Sequence, residues 1–404
     1  MSRTDPDADF RLRDVALSAY GPTIVSSTGH GAVMPILALR ARDLGADVST
    51  AAAIVALLGI GMLVASLPAS AIVARIGERK ALVYAGVLDA GAMLLGAVAG
   101  SVVLLGVSVV VSGMTWTTFL MARQGFMIDV VPMSHRARAL STLGGSHRVG
   151  VFVGPLIGAG LIALGSLGAV FVFAAVAALA AAALASTMPD PGSERRGAQR
   201  ERGHLGVWQV LRQHRRTLVT LGVVVVVISA SRSVRNGLLP LWADHVGISP
   251  STTSLIFALA GAVDILFFYP GGWLMDRRGR TVVAVPVVLT VAVAALLLPL
   301  ATSAWSVAAV VVLIAVGNGL GSGIVMVLGA DAAPVEGRAQ FLGGWRLCGD
   351  IGLSGGPLVV SAVAAVAPLA VACVTIGLLG LAGTAWTGFW VGREDQRIRS
   401  SRSD

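Results

Sequence analysis

Seven ionisable side chains stand inside long apolar runs: Asp89, Arg148, Arg232, Arg235, Asp264, Arg346 and Asp350, with His30 and His147 as titratable neighbours. A charge at mid-bilayer depth costs about 2.5–3.5 kcal/mol on insertion scales, so charges kept there are candidates to bind protons, ions or charged substrate groups. Arg346 and Asp350 are four apart and share one helix face. They read either as an intrahelical pair lining a wet cavity or as a proton acceptor, Asp350, tuned by its arginine. Asp89 reads as structural, and His147 as a polar neighbour of Arg148.

The elements that hold these residues must be membrane helices. The chain is 55% apolar and 13% charged, with a mean hydropathy of +0.83. Soluble domains carry roughly 25% charge. Twelve spans can be drawn, at about 15–39, 50–74, 81–100, 101–122, 139–164, 166–187, 217–242, 251–275, 281–303, 305–330, 340–366 and 367–391. The expected fold is an all-α membrane protein of twelve transmembrane helices.

Arginines mark one side of the bilayer. Arg3, Arg11, Arg13, Arg75, Arg79, Lys80, Arg123, Arg136, Arg138, the 195–216 cluster, Arg277, Arg278, Arg280, Arg338 and the tail arginines fall there, against Arg40 and Arg42 opposite. That bias puts both termini in the cytoplasm. The net charge of +9 is met by anionic headgroups rather than nucleic acid. Lys80, the only lysine, is followed by Ala81, so no phosphate-binding Gly-Lys-Ser/Thr loop exists to hydrolyse ATP. Cys348 and Cys373 lie in apolar runs and imply no disulfide framework. The N-terminus shows no cleavable signal pattern.

Residues 188–216 form the one long linker, broken by Pro189, Pro191, Gly192 and Gly197. Its part from Leu205 to Arg216 has the spacing of a short amphipathic helix on the inner membrane surface.

The two sides of that linker repeat one another. Adding 202 to Arg75, Gly77, Asp129, Arg136, Gly150, Gly154 and Pro155 gives Arg277, Gly279, Asp331, Arg338, Gly352, Gly356 and Pro357. The same step carries His30 onto Arg232 and Arg148 onto Asp350, so one symmetric site differs in charge between the halves. A constant offset of this kind is the mark of a parallel-repeat transporter. The expected division is 1–187, a linker 188–216, and 217–404.

Between two spans of the second half stands Gly272-x-Leu274-x-Asp276-Arg277-x-Gly279-Arg280. The first half keeps Arg75, Gly77 and a late Arg79, with Ala74 where the carboxylate would be. This loop resembles the signature of the major facilitator superfamily, and the likeness covers essentially the whole chain. The resemblance implies two pseudo-symmetric six-helix bundles. It also implies a conformational latch built from Arg75, Gly77, Gly272, Asp276, Arg277, Gly279, Arg280, Asp331 and Arg338.

In that family spans 5 and 8 face each other, so Arg148 and Asp264 are expected to bridge, either as a permanent pair or as one that breaks in transport. Spans 1 and 7 line its cavity, which makes His30, Arg232 and Arg235 candidate substrate contacts, together with Met34, Trp116 and Trp345. The Gly150-x-x-x-Gly154-Pro155-x-x-Gly158 run of span 5 resembles the motif of proton-antiporting exporters, although glycines four apart also serve helix packing. Such exporters usually carry a buried arginine in span 4, where this chain has Val109. Coupling, if present, would then rest on Arg148, Asp264, Arg346 and Asp350.

The expectation is a non-enzymatic secondary transporter of the cytoplasmic membrane, a monomer without metal or cofactor, whose partners are the lipid bilayer, protons and a small molecule. Proton-coupled efflux of small amphipathic compounds is one reading. Uniport or symport of an organic anion is the other, supported by the excess of Arg148, Arg232, Arg235 and Arg346 over Asp264 and Asp350.

Overall fold

The computed structural model describes residues 16–131, 136–188, 207–334 and 336–403, and every regular element among them is helical. The helices are α1 Ala16–Val33, α2 Leu37–Asp43, α3 Val48–Ile76, α4 Glu78–Val98, α5 Val102–Val130, α6 Arg136–Leu164 and α7 Leu167–Ser186. After the linker come α8 Val207–Gln213, α9 Arg215–His245, α10 Pro250–Arg278, α11 Thr281–Leu297, α12 Ala304–Leu320, α13 Ile324–Ala332, α14 Arg338–Ala364 and α15 Leu369–Ser403. Residues 189–206 of the linker and Arg3, Arg11 and Arg13 lie outside the described residues, as does the side chain of Arg338.

Among the described residues eleven helical segments, one of them α12 and α13 taken together, are long and apolar enough to cross a membrane. The first span is missing from that number because α1 is polar: Thr23, Ser26, Ser27, Thr28 and His30 are all buried on it. With no water in hydrocarbon, such groups must find partners inside the protein.

The chain groups into two compact units, Met1–Val33 with Val64–Gly203 and Met34–Leu63 with His204–Asp404. Residues 34–63, which the repeat assigns to the first half, group with the second unit, so α3 is shared between them. In the first unit α1 packs on α6 and α7, and α4 on α5 and α7. In the second α9 packs on α14 and α15, and α11 on α12 and α15. The helix pairing thus repeats along with the sequence. So do two turns: Gly45 and Gly247 have φ of 87° and 77°, and Gly77 and Gly279 have 88° and 99°, a region that suits glycine alone.

Close packing explains the glycine–proline run of α6. A Cβ on Gly150 would lie 2.6 Å from Ser27 Cβ, and one on Gly154 would meet the Thr28 carbonyl and lie 2.6 Å from the Ala32 nitrogen. Gly158 abuts Ala32. The counterpart seam is the same, with Gly352 against Val226 and Ser229 and Gly356 against Ala230 and Ser233.

Two expected spans are interrupted, the run at 15–39 by a 3-10 turn, Met34–Ile36, between α1 and α2. The run at 305–330 forms two helices, α12 and α13, separated by Gly321-Ser322-Gly323, whereas its counterpart α5 is continuous. Ser322 Oγ donates to the carbonyls of Gly319 at 2.7 Å and Asn318 at 3.1 Å, a side-chain-to-backbone bond that competes with the helical ladder. The short helix α8 falls within the expected 205–216 stretch. It docks on α14, with Val210 buried in the second unit's core and Leu211 against Gly344.

Candidate functional site

Each unit buries a carboxylate against a nitrogen base. In the first unit α1 presents His30 to Asp89 of α4, with Nε2 2.9 Å from Oδ2 and both side chains under 10% exposed. The other carboxylate oxygen accepts from Ser112 Oγ at 2.8 Å and Thr115 Oγ1 at 2.9 Å, both on α5. Trp116, the next residue of α5, lays its indole over His30 with centroids 4.2 Å apart. The same indole lies 5.8 Å from the ring of His147 and 5.9 Å from that of Phe119. His147 Nδ1 is 2.7 Å from Ser27 Oγ, which returns the cluster to α1. Arg148 is half-buried on the adjoining position of α6.

In the second unit Arg235 of α9 donates from Nη1 to Asp264 Oδ2 of α10 at 3.1 Å. Asn318 of α12 approaches the same oxygen at 3.4 Å. Asp264 is 6% exposed, and its Oδ1 has no hydrogen-bond partner among the described residues. Arg235 also lies over the Phe257 ring at 5.9 Å. Within the second unit the ion-pair partner of Asp264 is thus Arg235. Arg232, one turn earlier on α9, donates from Nη2 to the Gly321 carbonyl at 2.6 Å. Asp350 is buried on α14, with Arg346 half-buried one turn before it.

The other sequence candidates are placed as follows. Met34 is half-buried in a short 3-10 turn after α1. Trp345 is buried in the second unit's core, where its indole N–H donates to the Val325 carbonyl at 2.8 Å and its ring packs on Phe341. Arg280 pairs with Asp331 at 2.9 Å. Arg277 lies over the Trp273 ring at 4.5 Å. Asp276, Arg75 and Arg277 are exposed, and Asp276 makes no ion pair among the described residues.

Asn318 and Asp395 are not among the sequence candidates, and Asp89 reads there as structural. Asp89 is the centre of the first network, not a side contact. Asn318 closes on Asp264. Asp395, in the charged end of α15, accepts the backbone N–H of Arg280 at 3.0 Å and both the N–H and hydroxyl of Thr281 at 2.9 and 2.7 Å. It caps α11 and sits in the space beside Gly279 that a Cβ would fill, 2.8 Å away. An acidic residue at a helix N-terminus meets both the orphan N–H groups and the helix dipole. The only sequence sign of Asp395 is one carboxylate within an Arg-Glu-Asp run.

Residues 23–357 match a family model described as Major Facilitator Superfamily, and 221–403 match it again. A search of curated proteins finds no match. Among solved structures, one of a POT family transporter in complex with thioalcohol conjugated peptide superposes with a TM-score of 0.76 at 12% identity, covering 92% of this chain and 95% of that one. Another, of a POT family transporter in complex with 5-aminolevulinic acid, gives 0.74 at 12% identity, covering 94% and 96%. At that identity the likeness speaks to the fold.

Proposed function

This chain belongs to the Major Facilitator Superfamily and is a multi-pass membrane protein and secondary transporter; from that premise we propose that it exports small amphipathic compounds across the cytoplasmic membrane in exchange for protons, with both termini in the cytoplasm. The observation that supports the coupling is the pair of buried carboxylates in the second unit. Asp264 is held by one arginine and left with one bare oxygen, and Asp350 is 4% exposed with Arg346 one turn away. A carboxylate kept from water can lose its charge by taking a proton, and an adjacent guanidinium can change partners when it does. Two ion pairs of the second unit, Arg280–Asp331 and Arg42–Asp244, join side chains at least partly open to water, the kind of contact that can exchange partners in a conformational change.

The test is gradient-driven transport in everted membrane vesicles with ethidium as probe. Proton-driven accumulation that is abolished by an uncoupler and lost in Asp350→Asn supports the reading. Accumulation indifferent to the gradient overturns it.

The second reading is a uniporter or symporter of an organic anion. Arginines outnumber carboxylates among the charges within the spans, with Arg148, Arg232, Arg235 and Arg346 against Asp264 and Asp350. Arg232 donates to the Gly321 carbonyl and Arg235 to Asp264, and a guanidinium is suited to hold a carboxylate. Uptake of a carboxylic acid that persists in Asp350→Asn would favour this reading.

A further inference from the structure

We propose that His30 and Asp89 are the proton-carrying pair of the first unit. The proposal rests on the proton-coupled reading above and adds to it a site in the other unit.

The geometry supplies what a buried proton site needs. His30 Nε2 faces Asp89 Oδ2 at 2.9 Å, so Nε2 carries a hydrogen in the neutral ring and Nδ1 is where a further proton goes. Ser112 and Thr115 donate to the other carboxylate oxygen, which leaves Asp89 able to stay an acceptor at every oxygen. The face of Trp116 over the imidazole offers a negative quadrupole to an imidazolium. Three helices meet here, α1, α4 and α5, so the charge of one ring acts on the packing of all three.

The surrounding titratable groups are few. Tyr20 of α1 turns its hydroxyl to the Ala139 carbonyl at 3.4 Å. On α4, Glu78, Arg79 and Lys80 occupy the first turn, and Tyr84 is exposed. On α6, Arg148 adjoins His147. The helix α7 contributes no titratable residue, and Arg75 at the end of α3 is exposed. The chemical step is uptake of one proton from water at His30 Nδ1 and its return to water. No other bond changes.

Trp116 is a built-in reporter, because an imidazolium in contact with indole quenches its emission. The chain has eight tryptophans, so the reporter signal is the part lost in Trp116→Phe. The full-length protein in lipid nanodiscs would be titrated with acid while its emission is followed. The expected result is a reversible quenching step that is absent in His30→Gln, altered in Asp89→Asn, and retained in His147→Gln. A step that survives His30→Gln overturns the proposal.

The second arm is ethidium transport in everted vesicles. Gradient-driven transport falling to background in Asp89→Asn, with the protein still monodisperse and of wild-type melting temperature, supports the pair as a coupling site. If Asp89→Asn unfolds, Ser112→Ala tests the same oxygen with a smaller change and is expected to alter the emission step. Wild-type transport in Asp89→Asn overturns the coupling role while proton-driven export itself stands. An emission step as expected, with no gradient-driven transport by the wild type, overturns the coupling reading instead.

Discussion

Arg232 and Gly321 are joined by a 2.6 Å hydrogen bond from guanidinium to carbonyl, and Gly321 is the residue at which the tenth span stops being one helix. A broken helix inside a membrane frees carbonyls that no water can satisfy, so a protein donor must reach them. A cation at the C-terminal end of α12 also meets the favourable end of its dipole. The repeat counterpart of Arg232 is His30, and α5, the counterpart of the broken span, is continuous. The arginine and the break at Gly321 therefore occur in the same half.

Arg232→Met should remove the charge-assisted bond to the Gly321 carbonyl, which keeps the Ile324 N–H as a donor at 3.1 Å, and cost about 1 kcal/mol. The expected outcome is a lower melting temperature in detergent, with Arg232→Lys falling between. Wild-type melting in Arg232→Met would show that the bond does not hold the break together.

The glycines of α6 and α14 predict a packing test with internal controls. Gly154→Ala and Gly356→Ala push a methyl into the facing helix, against Thr28 and Ala230 respectively, and overpacking of this kind costs about 1–3 kcal/mol. Gly144→Ala and Gly160→Ala meet nothing within 4 Å and should stay within about 0.5 kcal/mol of wild type. Thermal unfolding of the four variants side by side checks both statements.

Asp395→Ala should destabilise the protein more than Asp276→Ala, although only Asp276 belongs to the signature loop. Asp395 accepts two backbone N–H groups and a hydroxyl at the start of α11, and leaving them without an acceptor costs about 1–3 kcal/mol. Asp276 is exposed, and its removal should change stability by less than about 0.5 kcal/mol. Amide exchange at 280–284 is expected to quicken in the first variant alone. Equal exchange in both would refute the capping role.

Asp47 gives a pH prediction outside the membrane. Its side chain accepts the Thr50 N–H at 2.7 Å at the start of α3, and hydrogen bonds from the Thr50 hydroxyl and N–H hold its carboxyl below the usual range. A carboxylate with a depressed folded value stabilises above its unfolded value and loses that contribution as pH falls through the folded one. Wild-type and Asp47→Ala proteins should differ in melting temperature at pH 7 and converge below the ordinary carboxylate range. A difference that persists undiminished in strong acid would contradict this origin.

Much of the fold was legible because period and offset are properties of the chain itself. Apolar runs of bilayer length, the 202-residue offset and the signature loop point to the spans, the repeat and the family without coordinates. The break at Gly321 was not legible, since a Gly-Ser-Gly triplet in an apolar run also fits an unbroken membrane helix. The partners of the buried charges were hidden for a different reason. Periodicity places Asp89 on a helix but does not say which neighbour Ser112 and Thr115 turn toward. Asp264 found Arg235 within its own unit, a pairing that the facing of spans 5 and 8 in the family did not suggest. Asp395 looked like one charge among many in a solvated tail, because a cap across 115 residues of sequence leaves no local pattern.

The central claim is that buried carboxylates make transport obey a proton gradient. The measurement that reaches it most directly is ethidium accumulation in everted vesicles under an imposed pH gradient, compared between wild type, Asp264→Asn and Asp350→Asn at equal expression. The account predicts gradient-driven accumulation in the wild type, abolished by an uncoupler, and none in either variant. Accumulation by both variants at the wild-type rate, or a wild type that ignores the gradient, would contradict it.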